Sequence, residues 1–279
     1  MDAFPTFASK FKLIALDRKI RVGAVSYLNT RPLLYGIENS PVINEISMVT
    51  EYPSRIADKL LTDEIDIGLV PVAVIPQMKE YRINTRYCIG CDGPVASVCL
   101  FSEVPLQEIR KVILDFHSRT SVVLAEILFE KYWNFRPAFE NAGPDFITKI
   151  AGDTAAVVIG DLALHQRSVS PYFYDLGETW KQMTGLPFVF AAWISNKTLD
   201  PGWVKRFDEA NAFGIKNINR VLEQIPQSNF NLKEYYTHNL SYHLDDEKMK
   251  GLNLFLELLA DKKQSALSFN ITAKGTGLN

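Results

Sequence analysis

The stretch VGAVSYLNTRPLLYGI at 22–37 breaks an alternating apolar pattern with Ser26, Tyr27, Asn29 and Thr30 before Pro32 restarts apolar spacing. Hydrogen-bonding side chains at a strand-to-helix handover suit an anion, because the first helical N–H groups are free there and the helix dipole is positive. The stretch DFHSRTSVVLAEILFEKYW at 115–133 has the same form, with Ser118, Thr120 and Ser121 ahead of an amphipathic helix. Plain N-capping by Ser and Thr is the alternative reading of both. Two more polar interruptions carry single candidates. Ser97 opens an apolar strand in GPVASV at 93–98, and Gly160 and Asp161 follow a strand end in VVIGDLAL at 157–164. Taken singly, Asp161 reads equally as a helix cap and Ser97 as a hinge residue. Phe190, close after TGLPF at 184–188, reads as core or as a cleft wall beside a planar ligand.

Other chemistries find no support. No nucleophilic triad, phosphate-binding loop, dinucleotide fingerprint or metalloprotease motif is present. The histidines, at 117, 165, 238 and 243, lack ligand spacing, and the CIGC pair at 88–91 has no second pair to complete a zinc site. Three cysteines do not make a disulfide framework. No cofactor and no metal are expected.

Candidate residues need elements to position them. Apolar runs at 20–26, 65–72, 96–101, 111–116, 155–160 and 187–195 predict buried strands, and helical spacing appears after Pro53 and after Ser121. Alternating strands and helices predict α/β layers with largely parallel pairing. From residue 200 onward, helices are expected over about 201–224 and 244–261 with no further strand, a polar connection at 226–243 and a frayed tail at 270–279. Two α/β units with a helical C-terminal part predict two lobes and a ligand cleft between them. The expected division puts 1–100 and 196–279 in one lobe and 101–195 in the other. With 279 residues, 47% hydrophobic, a sizeable core is available, and a net charge of −2 gives no reason to expect nucleic acid. No apolar run reaches the roughly 20 residues of a membrane span. The first residues do not read as an export signal, so the cytoplasm is expected.

Several ordered motifs together resemble one family, the chorismate dehydratases of the futalosine route to menaquinone. They are VGAVSYLNTRPLLYGI, PSRIADKLLTDEIDIGLVPVAVIP, CIGCDGPVASVCLFSEVP, LDFHSRTSVVLAEILF, VVIGDLAL and DLGETWKQMTGLPFVFAAW, spread over most of 20–195. The resemblance implies a two-lobed type II periplasmic-binding-protein-like fold and a hydro-lyase that removes water from chorismate to give 3-[(1-carboxyvinyl)oxy]benzoate. It also gives the polar clusters a purpose, since chorismate carries two carboxylates and two clamps are wanted. On this reading Asn29 and Ser97 meet the departing hydroxyl, and Thr120 and Ser121 clamp a carboxylate. Ser26, Tyr27, Thr30, Ser118, Gly160 and Phe190 contact substrate. The base is either Asp161 or the substrate's own enolpyruvyl carboxylate. A non-catalytic solute-binding protein and a ligand-sensing domain are the competing classes, and the oligomeric state is not legible.

Overall fold

The computed structural model describes residues 18–115, 117–226 and 229–275. Its strands are β1 (Ile20–Val25), β2 (Ile46–Glu51), β3 (Ile67–Pro71), β4 (Arg82–Cys91), β5 (Val98–Ser102), β6 (Lys111–Leu114), β7 (Ala138–Asn141), β8 (Thr154–Ile159), β9 (Tyr172–Asp175), β10 (Phe188–Ser195) and β11 (Ser241–His243). Its helices are α1 (Arg31–Glu38), α2 (Pro53–Leu61), α3 (Thr120–Lys131), α4 (Gly160–Gln166), α5 (Leu176–Thr184), α6 (Pro201–Lys216), α7 (Ile218–Glu223), α8 (Leu232–Glu234) and α9 (Asp246–Gly275). A π-helical turn, Tyr235–Asn239, follows α8.

Two sheets organise these elements. One has the order β11-β4-β10-β3-β1-β2 and the other β7-β6-β8-β5-β9. The chain therefore crosses from the first sheet to the second between β4 and β5, and returns between β9 and β10. The sheets divide the chain differently from the expected lobes: β5 starts at Val98 within the second sheet, and β10 lies between β4 and β3 in the first. Continuous apolar runs arise where both faces of a strand are covered. In β8, Ala155 and Val157 face the main core while Ala156 and Val158 join a second cluster with Phe101, Ile113 and Phe146.

Pairing departs from expectation. β1 pairs parallel with β2 and β3, and β6 with β7 and β8, but β10 runs antiparallel to both neighbours and β5 antiparallel to β8 and β9. An apolar run signals a buried strand without its direction, and the two crossings reverse the strands that adjoin them. A strand also follows residue 200: β11 pairs antiparallel with β4 through Ser241–Gly90 and His243–Tyr87. It is too short to show periodicity. Residues 270–275, expected to fray, continue α9, while the readings of 1–17 and 276–279 lie outside the described residues. Among the described residues no helix is long and apolar enough to cross a membrane. Cys88 and Cys91 are buried free thiols on β4, both raised above the usual thiol range by burial.

Candidate active site

A cavity lined by residues of both sheets lies where the two sheets meet. Its walls come from the ends of β1 and β3, the turn at Tyr27–Thr30, Val95 and Ser97 in the first crossing, the β6–α3 and β8–α4 junctions, and Phe190 and Ala191 of β10. Helices α1, α2 and α3 begin at this wall, with Thr30, Pro53, and Thr120 with Ser121 lining it. The positive ends of three helix dipoles therefore converge on one space. Among the described residues that form the wall there is no Asp, Glu, Lys, Arg or His. The wall therefore offers an entering group neutral hydrogen-bonding side chains and helix N-termini rather than charged side chains.

All of the sequence-predicted site residues line this cavity except Ser26 and Asp161. Ser26 is exposed. Asp161 is also exposed by residue, and its Oδ1 accepts a hydrogen bond from the Leu28 N–H at 3.0 Å. Crowding by protein raises the Asp161 carboxyl above its ordinary value, and the Leu28 bond opposes that shift. Of its two sequence readings as helix cap or base, the structure gives it a capping role, but on a turn of the other lobe.

The Tyr27–Thr30 turn is built by groups remote in sequence. The Tyr236 hydroxyl donates to Leu28 O at 3.0 Å and the Tyr242 hydroxyl to Asn29 O at 2.9 Å. Thr30 lines the cavity, but its hydroxyl donates inward to Val25 O at 2.5 Å and Tyr27 O at 2.7 Å. With the backbone held, Asn29 Oδ1 is left buried without a partner. Across the cavity Ser97 Oγ is buried and unpartnered as well. Buried polar atoms in folded proteins are nearly always satisfied, and these two belong to residues that line one cavity.

The remaining candidates divide between wall and scaffold. Ser118 Oγ accepts from Ser121 N at 3.0 Å, so capping and cavity lining coincide in one residue. Thr120 Oγ1 accepts from Ala73 N at 3.2 Å, tying α3 to the first lobe. Gly160 has φ +65°, and a Cβ there would lie 3.0 Å from the Tyr27 ring, so the position needs glycine. Phe190 packs edge-on against Phe188, ring centroids 4.6 Å apart, and presents an apolar face to the cavity. Burial, with smaller effects from Asp115, Tyr52 and Asp161, pushes the Tyr27 phenol up, so it stays protonated across the neutral range. At the mouth Tyr52 stacks on His117 at 4.1 Å, Ser54 N donates to His117 O at 3.2 Å, and Arg119 pairs with Asp58. These contacts bring the two lobes together over the cavity.

Sequence reasoning missed Tyr235, Tyr236, Tyr242 and Asp175. Tyr235 is fully buried, with its phenol pushed up by burial, and its hydroxyl lies beside Ser97 without hydrogen-bond geometry. The signal was the tyrosine density of EYYTHNLSYH at 234–243, unusual for a polar connection.

Two α/β sheets joined by a double crossing, with a cleft between them, define the periplasmic-binding-protein fold. A Candida albicans gene product described as having the generic form of that fold superposes with a TM-score of 0.59 at 13% identity, over 87% of this chain and 90% of that one. An Archaeoglobus fulgidus protein superposes with a TM-score of 0.68 at 16% identity, over 88% and 98% of the two chains. The chain belongs to the menaquinone biosynthesis family, whose description matches residues 20–261. Curated relatives named chorismate dehydratase are 24% identical: one from Thermus thermophilus over 85% of this chain and 94% of its own, and one from Campylobacter jejuni over 82% and 92%.

Proposed function

We propose that this protein is a cytoplasmic chorismate dehydratase that eliminates water from chorismate to give 3-[(1-carboxyvinyl)oxy]benzoate. The observation that carries the reading is the pair of unpartnered atoms, Asn29 Oδ1 and Ser97 Oγ, facing one uncharged cavity rimmed by helix N-termini. A hydroxyl bound between them donates to Asn29 Oδ1 and accepts from Ser97. The N-terminus of α3, with the hydroxyl protons of Ser121 and Thr120 as donors, takes one carboxylate. The wall of Phe190, Ile89 and Val95 packs against the ring.

The proton lost is on C3, vinylogous to the ring carboxylate, and the hydroxyl leaves from C4. Removing the proton spreads negative charge onto the ring carboxylate, where donors strengthen as the charge develops. The base is the substrate's own enolpyruvyl carboxylate. Asp161 is engaged with Leu28 outside the cavity, Tyr27 stays protonated, and among the described residues the wall holds no carboxylate or amine. The abstracted proton leaves with the C4 hydroxyl as water, and an aromatic ring remains. The protein's part is positioning and charge stabilisation, with aromatisation supplying the driving force.

The test is incubation with chorismate and detection of the aromatic product, for wild type beside Asn29→Ala and Ser97→Ala. Each variant is expected to lose about 10²–10³ in kcat with its melting temperature retained. Full turnover in both removes the site assignment, and unchanged chorismate with wild type removes the enzymatic reading in favour of a binding protein.

A further inference from the structure

Ser97 lies in the first crossing between the sheets, and Asp175 stands at the start of the second. The backbone at Ser97 forms a tight turn. Ser97 N–H donates to Val95 O at 2.8 Å, and Ala96 between them has φ +64°. A three-residue turn of this hand is rare and strained for any residue but glycine, and persists only where its surroundings impose it.

One carboxylate does so. Asp175 Oδ1 accepts from Val95 N at 3.0 Å and Oδ2 from Ala96 N at 2.7 Å. The same Oδ1 accepts from Gly177 N at 3.0 Å and Glu178 N at 3.1 Å, capping α5. Around the turn, Gly160 N donates to Ser97 O at 2.8 Å and Asn239 Nδ2 to Pro94 O at 3.2 Å. The crossings are also pressed together, since a Cβ on Gly177 would lie 2.5 Å from Cys91 Sγ, and Lys181 reaches Asp92 at 2.6 Å. Amid this backbone network the Ser97 hydroxyl makes no well-formed hydrogen bond, and the buried Tyr235 hydroxyl beside it makes none either.

We propose that Asp175 is a positioning residue for the dehydration, gripping the Val95–Ser97 turn from the second crossing so that the Ser97 hydroxyl points into the cavity. This rests on the reading of Ser97 as the group that meets the departing hydroxyl. Because one carboxylate holds both crossings, the aim of Ser97 is set at the hinge and not within either lobe.

Asp175→Asn tests it. With its oxygen turned to Val95, Gly177 and Glu178 the α5 cap survives, while its NH₂ meets the Ala96 N–H, donor against donor. Turnover of chorismate is expected to fall about 10- to 100-fold in kcat with KM little changed, the pattern of an interaction made in the transition state. In a Ser97→Ala background the same substitution costs under about two-fold, because the hydroxyl it aims is gone. Ala96→Gly, which adopts positive φ freely, recovers most of the loss. Equal losses in both backgrounds, no recovery with Ala96→Gly, or undiminished kcat in Asp175→Asn overturns the proposal. Should Asp175→Asn give no cooperative melt, Ala96→Val leaves Asp175 intact and disfavours the turn. A fall in its kcat supports the proposal, and an unchanged kcat overturns it. If wild type leaves chorismate unchanged, the dehydratase reading fails instead. The clamp is then read from hydrogen exchange of the Ala96 amide, slower in wild type than in Asp175→Asn, and equal exchange overturns it.

Discussion

Two turns face each other across the cavity, Tyr27–Thr30 and Val95–Ser97, and each offers one buried polar atom that no protein group satisfies. They are held in opposite ways. The first takes several neutral or exposed bonds from four parts of the chain: Tyr236, Tyr242, Asp161 and the hydroxyl of its own Thr30. The second is gripped at two successive amides by the buried carboxylate of Asp175, with Gly160 N–H at Ser97 O beside it and strain at Ala96 working against it. Distributed bonds give a turn that degrades by degrees, whereas one carboxylate bonding two amides of a strained turn concentrates the loss at a single substitution.

The largest departure is expected from Gly160→Ala, which strikes both turns. Its φ of +65° costs a side chain roughly 1–2 kcal/mol, and the new Cβ meets the Tyr27 ring while the Gly160 amide loses its set to Ser97 O. Denaturant unfolding reads the first effect, and a fall in chorismate turnover larger than for any single tyrosine variant reads the second.

Tyr242→Phe and Tyr236→Phe come next. Each leaves one carbonyl of the first turn without its donor and is expected to cost about 1 kcal/mol of stability, with kcat lowered less than about tenfold. The double variant should approach the sum of the two, since distributed bonds share the load. A single tyrosine variant as damaging as Asp175→Asn would erase the contrast between the turns.

Asp161 separates acceptor from base. Asp161→Asn keeps an oxygen for the Leu28 N–H and is expected to hold turnover within about two-fold, whereas Asp161→Ala lowers it several-fold by freeing the turn. Loss of turnover in Asp161→Asn with normal substrate binding would return Asp161 to the role of base.

Asp66 lies away from both turns and should move activity least. Its burial alone would raise the carboxyl, but hydrogen bonds from Arg21 and Lys197 prevail and hold it well below the usual carboxylate range. Because the folded value is depressed, the stabilisation is complete above the unfolded carboxyl's pKa near ~4 and is lost as pH falls below that value toward the folded one. Melting temperatures measured downward from pH 7 should drop in that window, and Asp66→Asn should flatten the drop. Asp175 has the reverse sign, since burial raises its carboxyl against the pull of its backbone donors. Its contribution to stability is greatest below the unfolded carboxyl's pKa and diminishes as pH rises through the raised folded value.

The local grammar of the site was legible. A buried strand that ends in Ser, Thr or Asn before a helix satisfies its free N–H groups through nearby side chains, a rule of a few residues' range. It marked Asn29, Ser118, Thr120 and Ser121 without any tertiary information, while Ser97 ahead of a strand and Gly160 after one stood out as polar interruptions, and the motifs in order resembled the family. Strand direction and the edge strand β11 were not legible, because apolar runs carry no direction and three residues carry no period. Asp175 escaped notice for a related reason: as a cap of α5 it looks local, and its second grip on Val95 and Ala96 spans the two crossings.

What the sequence alone determined, then, is which polar residues stand at the ends of strands and the starts of helices, since capping and strand termination are decided by neighbours in the chain. Only the tertiary structure decided that the junctions near positions 29, 97, 120 and 160 open on one uncharged cavity. It also turned Asp161 toward Leu28 and Thr30 into its own turn. Those outcomes follow from sheet order and the double crossing, in which residues distant along the chain compete for the same hydrogen-bonding groups, and no local pattern records who wins.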